Sequence, residues 1–277
     1  MNQMTNSENM GMKRIKKVKF FKYYGGKYHL LDDIMNEIIR IINEHDIRCV
    51  VDVFGGSGSV ILSLPLEYKV NRIYNDLDKR LTTTLKILMD NEKREKLLQS
   101  LEYAVRSRDI FNEFKNSNWD DLTDDEIALR FLYLNVYSYR ADNVTYGLIT
   151  NTPRDYMSEL INNIRNNFKY LRGLTSIENL DFRQVIKKYG GPKTLFYLDP
   201  PYLTNGDRYM FSFTKNDFMD LKNILETTNS KYILNNSDKD FDFMIDVFGP
   251  YTFVKEYKNH ISKNRDTRLE GFWIKED

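Results

Sequence analysis

The sequence predicts an α/β protein, in which strands and helices alternate around an open sheet. Short apolar and aromatic segments of strand length occur at Cys49–Phe54, Asn71–Asp76 and Thr194–Leu198. Each run stops at a glycine, a proline or an acidic residue, as strands commonly do. A glycine turn and a helical pattern follow the first run, which is the order of a strand-helix unit.

The chain begins with a basic tail and an aromatic segment that contains glycine. Residues 1–19 are polar and become strongly basic, so we expect a solvated tail, with phosphate contact as the alternative. The segment Phe20–Lys27 contains Gly-Gly-Lys and leads into Leu30–Ile39, where apolar residues recur with the period of a helix.

A glycine turn follows the first strand. Gly55, Gly56 and Gly58 lie there, and glycines let the backbone pass close to a ligand at the start of a helix. Ile61 stands where a dinucleotide fingerprint needs a small residue, which disfavours NAD. Asp76 follows the glycines by about 20 residues, the spacing at which a carboxylate reaches ribose hydroxyls. The alternative for Asp76 is a helix cap.

The longest gap between predicted strands holds an inserted segment. From about Leu81 to Tyr170 the chain is helical and charged, except at 141–153, which carries turn formers and lacks a helical period. We therefore expect a core made of residues 1–80 and 173–277, split by an inserted, mainly helical lobe at 81–172.

The most informative segment is Asp199-Pro200-Pro201-Tyr202, directly after the third strand. Asp199 is expected at the carboxyl edge of the sheet, where open α/β sheets bind ligands. The prolines hold the Asp199 carboxylate and the Pro200 carbonyl in one arrangement. These acceptors would localise the lone pair of an aromatic amine and stabilise its developing charge, while Tyr202 stacks on the base. An Asp-Pro turn that closes a surface loop is the alternative.

Bulk properties exclude several classes of protein. The net charge is +1, and the single cysteine, Cys49, cannot form a disulfide within the chain. The three histidines are far apart, with no cysteine or carboxylate cluster at ligand spacing, so we expect no metal site. A signal peptide and a membrane-length apolar run are absent, which predicts a cytoplasmic protein without membrane contact.

Together these motifs resemble the Dam-type (D12 class) family of DNA adenine-N6 methyltransferases of bacteria and phages. The resemblance is carried, in the family's order, by the Phe20–Lys27 opening, the Phe54–Gly58 turn, the Asn75-Asp76 strand end and the Asp199–Tyr202 site. Further matching segments are Phe131–Asn135, Asn179–Phe182, Tyr232–Ser237 and Arg265–Glu270. Departures are Asp52-Val53, where the family usually has Glu-Pro, and a tyrosine at Tyr23 or Tyr24, where a tryptophan is frequent.

The resemblance implies a Rossmann-like S-adenosylmethionine-dependent methyltransferase fold with an inserted target-recognition lobe that carries a β-hairpin. The implied reaction is methyl transfer from S-adenosylmethionine to the N6 of an adenine flipped out of double-stranded DNA. Asp199, Pro200 and Tyr202 would be catalytic, and Leu203–Phe213 would form a mobile flap over the base. The implied cofactor-binding residues are Tyr24, Gly25 and Lys27 at the methionine end, Phe54, Gly56 and Gly58 in the turn, Asp76 at the ribose, and Asp181 and Phe182 at the adenine ring. Candidate DNA-binding residues in the lobe are Arg140, Asn143, Tyr146, Asn151 and Arg154.

Some alternatives stay open. The lobe's Tyr133, Tyr137 and Tyr139 fit a helix core as well as a DNA surface, and Arg140 fits a helix cap. The acceptor pair would also serve another planar amine, such as cytosine N4, an RNA adenine or a protein side-chain amide. A non-catalytic DNA-binding relative is disfavoured by the intact Asp199 and Tyr202. A restriction endonuclease of the same system is a candidate partner, and we expect a monomer in solution.

Overall fold

The computed structural model describes residues 15–23, 25–147, 155–203, 212–258 and 267–276. The strands are β1 Cys49–Asp52, β2 Asn71–Asn75, β3 Ser176–Glu178, β4 Thr194–Leu198, β5 Lys231–Ser237, β6 Phe253–Lys258 and β7 Thr267–Lys275. The helices are α1 Leu31–Glu44, α2 Ser59–Ser63, α3 Lys79–Met89, α4 Asn91–Glu102, α5 Arg108–Lys115, α6 Asp124–Tyr137, α7 Tyr156–Asn167, α8 Phe182–Tyr189, α9 Lys215–Glu226 and α10 Phe241–Phe248. The predicted α/β class is confirmed.

The strands form one seven-stranded sheet in the order β3-β2-β1-β4-β5-β7-β6. Strands β1 to β5 pair in parallel, whereas β7 runs antiparallel to both β5 and β6. The chain builds outward from β1 through β2 to β3, and then restarts on the other side of β1 with β4. In such a Rossmann-like sheet, the crevice at this change of direction is where ligands bind.

Side chains of the central strands alternate between two hydrophobic clusters, one on each face of the sheet. In β4, Leu195 and Tyr197 pack on one face, and Phe196 and Leu198 pack on the other. Helix α1 and the inserted helices cover the first face, while α8, α9 and α10 cover the second. Burial on both faces explains why β4 is apolar throughout rather than alternating.

The inserted helices α3 to α7 lie between β2 and β3 and share their hydrophobic cluster with α1. The expected boundary at residue 81 falls within α3, and that at residue 172 falls within a 3-10 helix at Phe168–Gly173. In the lobe an antiparallel bridge joins Ser138 to Tyr146, with the Tyr139 amide donating to the Thr145 carbonyl at 2.7 Å. Of the expected hairpin region, 148–154 lie outside the described residues.

The described end of the amino-terminal segment is packed against the core. Val18 is fully buried, its amide donates to Ser63 Oγ at 2.8 Å, and Lys17 Nζ lies 2.7 Å from Asp32. A solvated tail is therefore wrong for residues 15–19, because the apolar side chains among the lysines find a place in the core; residues 1–14 lie outside the description. Among the helices of the described residues, none is long and apolar enough to cross a membrane.

Candidate active site

A cavity of about 670 Å³ lies at the carboxyl ends of β1 and β4, a size typical of small-molecule sites. The sheet order explains its place, because Asp52 ends β1 and Asp199 directly follows the adjacent β4. The predicted residues that line it are Gly25, Lys27, Phe54, Gly56, Asp76, Arg140, Asn143, Asp181, Phe182 and Asp199. The lining does not include four other predicted residues that the structure describes: Gly58, Pro200, Tyr202 and Tyr146. Three predicted residues lie outside the described part of the chain: Tyr24, Asn151 and Arg154.

Asp199 is held by an ion pair and an amide. Its Oδ1 lies 2.8 Å from Lys27 Nζ and accepts a hydrogen bond from Asn235 Nδ2 at 3.3 Å. Burial, with a smaller contribution from the charge of Glu270, raises the pKa of Asp199 to about 6, although Lys27 acts in the opposite direction. The Asp199 carboxylate is therefore an oriented acceptor at the cavity wall and not part of a surface turn.

Glu270 is the residue of this site that sequence reasoning missed. It is 1% exposed, and its carboxylate accepts hydrogen bonds from the Tyr202 hydroxyl and from Asn235 Nδ2 at 2.9 Å. The ammonium of Lys27 lies 4.9 Å from the centroid of the Tyr202 ring. The available signal was an acid directly before the segment Gly-Phe-Trp-Ile, because a carboxylate that is buried beside such a segment needs partners.

The glycine turn between β1 and α2 is shaped by close contacts. Gly56 has φ +50°, and a Cβ there would come within 2.7 Å of the Tyr23 ring. The amide hydrogens expected to face a ligand are in part used within the chain, because Gly56 donates to Asp76 at 2.7 Å and Ile61 donates to Asp52 at 3.4 Å. The turn is thus bound to both neighbouring acids, and α2 is only five residues long.

Asp76 accepts a hydrogen bond from the glycine turn and does not cap a helix. The cap of α3 is Asp78, whose side chain accepts from the Arg80 amide. Asp76 accepts instead from the amides of Gly56 at 2.7 Å and Asp78 at 2.8 Å. Burial raises the pKa of Asp76 to about 6, despite these two amide bonds.

Asn75 connects this strand end to the segment around Asp181. The Asn75 amide donates to the carbonyls of Val53 at 2.8 Å and Leu180 at 3.0 Å, and its oxygen accepts from the Leu180 amide. Asp181 caps α8 and lies 3.3 Å from Arg183. One buried side chain therefore fixes the two loops that flank the cavity.

An aromatic wall closes the cavity at α8. The Phe213 ring centroid lies 5.5 Å from that of Phe54 and 5.2 Å from that of Phe182. Arg183 stacks on the Phe182 ring at 4.2 Å. Of the expected flap, 204–211 lie outside the described residues.

Two buried polar atoms in the cavity wall lack a hydrogen-bond partner in the described chain: Asp52 Oδ1 and Tyr197 Oη. Burial holds the pKa of Asp52 well above its usual range, and Asp199 and Asp76 raise it further. Unsatisfied buried polar groups of this kind are uncommon and call for a polar ligand or water. The lining therefore suits a ligand with both a cationic group and an acceptor.

The lobe contributes a strained loop to the rim of the cavity. Arg140 and Asn143 both have a left-handed backbone, with φ 54° and 59°, a conformation that is costly for residues other than glycine. Helix α6 ends at Tyr137 with Ser138 as its backbone cap, so Arg140 lies two residues beyond the cap position.

The lobe tyrosines divide into buried and exposed members. Tyr133 and Tyr137 are buried, whereas Tyr139 is 52% exposed. Tyr146 packs 5.3 Å from the Phe111 ring and interacts with Arg106 through its hydroxyl at 3.2 Å. This gives Tyr146 a packing role within the lobe.

Comparisons with known proteins identify the family of this chain. A model of the D12 class N6 adenine-specific DNA methyltransferase family matches residues 23–260. The Type II methyltransferase M.MjaIII of Methanocaldococcus jannaschii is 25% identical over 294 aligned positions, which cover 92% of this chain and 96% of that protein. Among solved structures, the Escherichia coli protein yhhF, described as a methyltransferase, aligns with 95% of this chain and 100% of its own at 10% identity and a TM-score of 0.34.

The family match spans the glycine turn, the inserted lobe and the Asp199 site, and the sheet order is that of a Rossmann-like methyltransferase fold. The chain therefore belongs to the D12 class N6 adenine-specific DNA methyltransferase family and is a DNA adenine methyltransferase.

Proposed function

We propose that the methyl donor is S-adenosylmethionine and that it occupies the cavity between the glycine turn and Asp199. The observation that carries this proposal is the pair of unsatisfied wall atoms, Asp52 Oδ1 and Tyr197 Oη. The unpaired Asp52 oxygen matches the ammonium or sulfonium of the donor, and the Tyr197 hydroxyl matches the donor's carboxylate. When bound, the donor supplies an electrophilic methyl group.

The remaining cavity residues would position the donor along its length. Gly25 and Lys27, together with Tyr24, are the proposed contacts of the methionine end. Phe54 and Gly56 would form the cavity floor, and Gly58 would act by shaping the turn beneath the donor. Asp76 is proposed for the ribose hydroxyls, since a carboxylate that accepts two amide hydrogens keeps further lone pairs. Phe182 would stack on the adenine ring, and Asp181 would accept from its amine.

The target amine would meet Asp199 at the opposite end of the cavity. The Asp199 carboxylate and the Pro200 carbonyl would accept the two amine hydrogens, which localises the nitrogen lone pair and stabilises the charge that develops on it. Tyr202 would fix the plane of the base, with its hydroxyl anchored on Glu270. Since an amine cannot reach this pocket from within the duplex, the adenine would be flipped.

Double-stranded DNA would lie against the inserted lobe, here proposed as residues 81–172. Arg140 and Asn143 line the cavity and lie on the strained loop of the lobe, so they are placed to contact the strand around a flipped base. Asn151 and Arg154 remain proposed contacts, and Tyr146 would act by holding the loop. We further propose a monomer and, because the relative is called a Type II methyltransferase, a restriction endonuclease in the same system.

The experiment combines binding and product analysis. Titration calorimetry should show S-adenosylmethionine binding to the wild-type protein and weaker binding to the Asp52→Asn variant. Tritium transfer to defined duplexes, followed by nucleoside digestion, should give N6-methyladenine. A product of N4-methylcytosine, or label on RNA only, would contradict the proposal, as would full donor affinity in the variant.

A further inference from the structure

Behind the Asp199 carboxylate lies a buried group of side chains that we call the Glu270 cluster: Lys27, Tyr202, Asn235 and Glu270. These residues come from the opening segment, the loop after β4, β5 and β7. Glu270 Oε1 accepts from the Tyr202 hydroxyl and from Asn235 Nδ2, and it lies 3.5 Å from Lys27 Nζ. Asn235 is completely buried, and Lys27 is 5% exposed.

The cluster distinguishes the two oxygens of Asp199. Within the described residues, the contacts of Lys27 Nζ and Asn235 Nδ2 with this carboxylate both fall on Oδ1. The same two donors also contact Glu270. Glu270 therefore fixes the donors that fix Asp199, and Oδ2 is the oxygen left for an incoming amine.

We propose that Glu270 is a positioning residue for methyl transfer. Through Lys27 and Asn235 it holds Asp199 with Oδ2 facing the target amine, and through its hydrogen bond with Tyr202 it fixes the ring on which the target base stacks. This inference rests on the proposed function of the site. It concerns a residue on the last strand that does not line the cavity.

The charges of the cluster explain why a second carboxylate is present. In the reaction the amine lone pair forms the N–CH₃ bond, the sulfur keeps the electrons of the broken S–CH₃ bond, and the nitrogen then loses one proton. Asp199 Oδ2 takes that proton before it passes to water. Because Glu270 stays beside Lys27, the ammonium keeps an anionic partner while Asp199 is neutral.

Other groups also act on Asp199 and on Glu270. Asp52 on β1 and Tyr197 on β4 line the wall beside Asp199. Burial lowers the pKa of His29 and raises that of Tyr257, and the charge of Glu270 acts to raise both. The two rings lie 4.0 Å apart. Glu270 raises the pKa of Asp199, whereas the Asn235 hydrogen bond lowers it. Removing these two influences should therefore shift the titration of Asp199 in opposite directions.

The test compares Glu270→Gln and Asn235→Leu with a matched control, Glu178→Gln. Glu178 also accepts from a tyrosine hydroxyl and a lysine, Tyr189 and Lys188, but lies on β3 at the edge of the sheet. For each variant we would measure single-turnover methyl transfer against pH, donor affinity by calorimetry, and thermal unfolding. Infrared titration of the donor-free protein would follow the Asp199 carboxyl, assigned by its loss in Asp199→Asn.

We expect Glu270→Gln to slow methyl transfer at least about tenfold, equivalent to about 1.4 kcal/mol, with donor affinity within about twofold of wild type. In Glu270→Gln, the pKa of Asp199 and the acid limb of the pH–rate profile should both move to lower pH. In Asn235→Leu both should move to higher pH, and in Glu178→Gln both should stay in place. Shifts of the same sign, or a wild-type rate in Glu270→Gln, would overturn the inference. A wild-type protein without adenine methylation would instead refute the proposed function, and the infrared titration would still decide the role of Glu270.

Discussion

Three aspartates at one edge of the sheet give this site its chemistry. Asp52, Asp76 and Asp199 lie at the ends of β1, β2 and β4, and burial raises the pKa of each. Shifted carboxyl groups that line one cavity are typical of functional sites. Among these three, Asp199 alone has a lysine partner in the described part of the chain, with Lys27 Nζ at 2.8 Å. The lysine favours the ionised form of Asp199, which can accept hydrogen bonds, whereas the charge of the neighbouring acid Glu270 disfavours it.

Replacing Asp199 should separate chemistry from binding. In Asp199→Asn the side chain keeps its size but presents an amide and no charge, so we expect methyl transfer to fall by at least about 10²-fold. Donor affinity should stay within a few-fold, since other residues hold the donor. Rapid-quench measurement with saturating donor, beside calorimetry, tests this. Near wild-type turnover in Asp199→Asn would remove Asp199 from its proposed role.

The pH dependence should report Asp199 directly. Because the folded pKa is about 6 rather than 3.8, Asp199 is half protonated near pH 6. A protonated carboxyl carries no negative charge to stabilise the reacting amine and cannot take up its proton. Methyl transfer at saturating donor should therefore decline as pH falls through about 6, with a plateau above about pH 7. Donor affinity measured over the same range separates this limb from the titration of Asp76. An acid limb near pH 4 would contradict the assignment.

The elements differ in how well local sequence predicts them. Strand β4 occupies the predicted residues Thr194–Leu198, because apolar continuity and a proline stop are local signals. The Glu270 cluster was not predictable in this way, because its four members are far apart in sequence and meet only through the sheet order. The packing of Val18 in the core was also missed, because the surrounding lysines dominate the local sequence pattern and the residues that bury Val18 are distant in the chain.

The glycine turn offers a test of one element. In Gly56→Ala a Cβ would lie 2.7 Å from the Tyr23 ring at a backbone φ of +50°, so we expect a loss of about 1 kcal/mol or more in the free energy of unfolding. Donor affinity should fall as well, because the turn shapes the cavity floor. Gly191→Ala is the matched control, since nothing lies within 4 Å of its added Cβ. Equal stability of the two variants in urea denaturation would show that the turn tolerates a side chain.

Across the molecule, the site depends on the sheet more than on any motif. The parallel order places β1 beside β4 although the inserted helices separate them in the chain, and β7 brings Glu270 to the same edge from the carboxyl terminus. The family resemblance pointed to many of the residues that line the cavity, because its motifs mark the strand ends, but the lining does not include the predicted residues Pro200 and Tyr202. The resemblance did not predict which acids would be buried without partners, since that depends on packing from both faces.

Asp52 should show a conflict between stability and donor binding. Its folded pKa lies well above the ordinary value of 3.8, so the folded protein binds a proton that the unfolded chain releases, and the stability that Asp52 contributes is lost as pH rises from about 4 through the folded pKa. At neutral pH, Asp52→Asn should therefore stabilise the donor-free protein, by roughly 1–2 kcal/mol, and the difference should shrink in acid. A bound cationic donor lowers the pKa of Asp52 and so favours its ionised form, whereas an amide cannot ionise. The variant should therefore bind S-adenosylmethionine at least about tenfold more weakly. Urea denaturation at several pH values and calorimetry measure the two effects. A variant that is neither more stable nor weaker in binding would show that burial of Asp52 does not destabilise the folded protein and that Asp52 makes no ion pair with the donor.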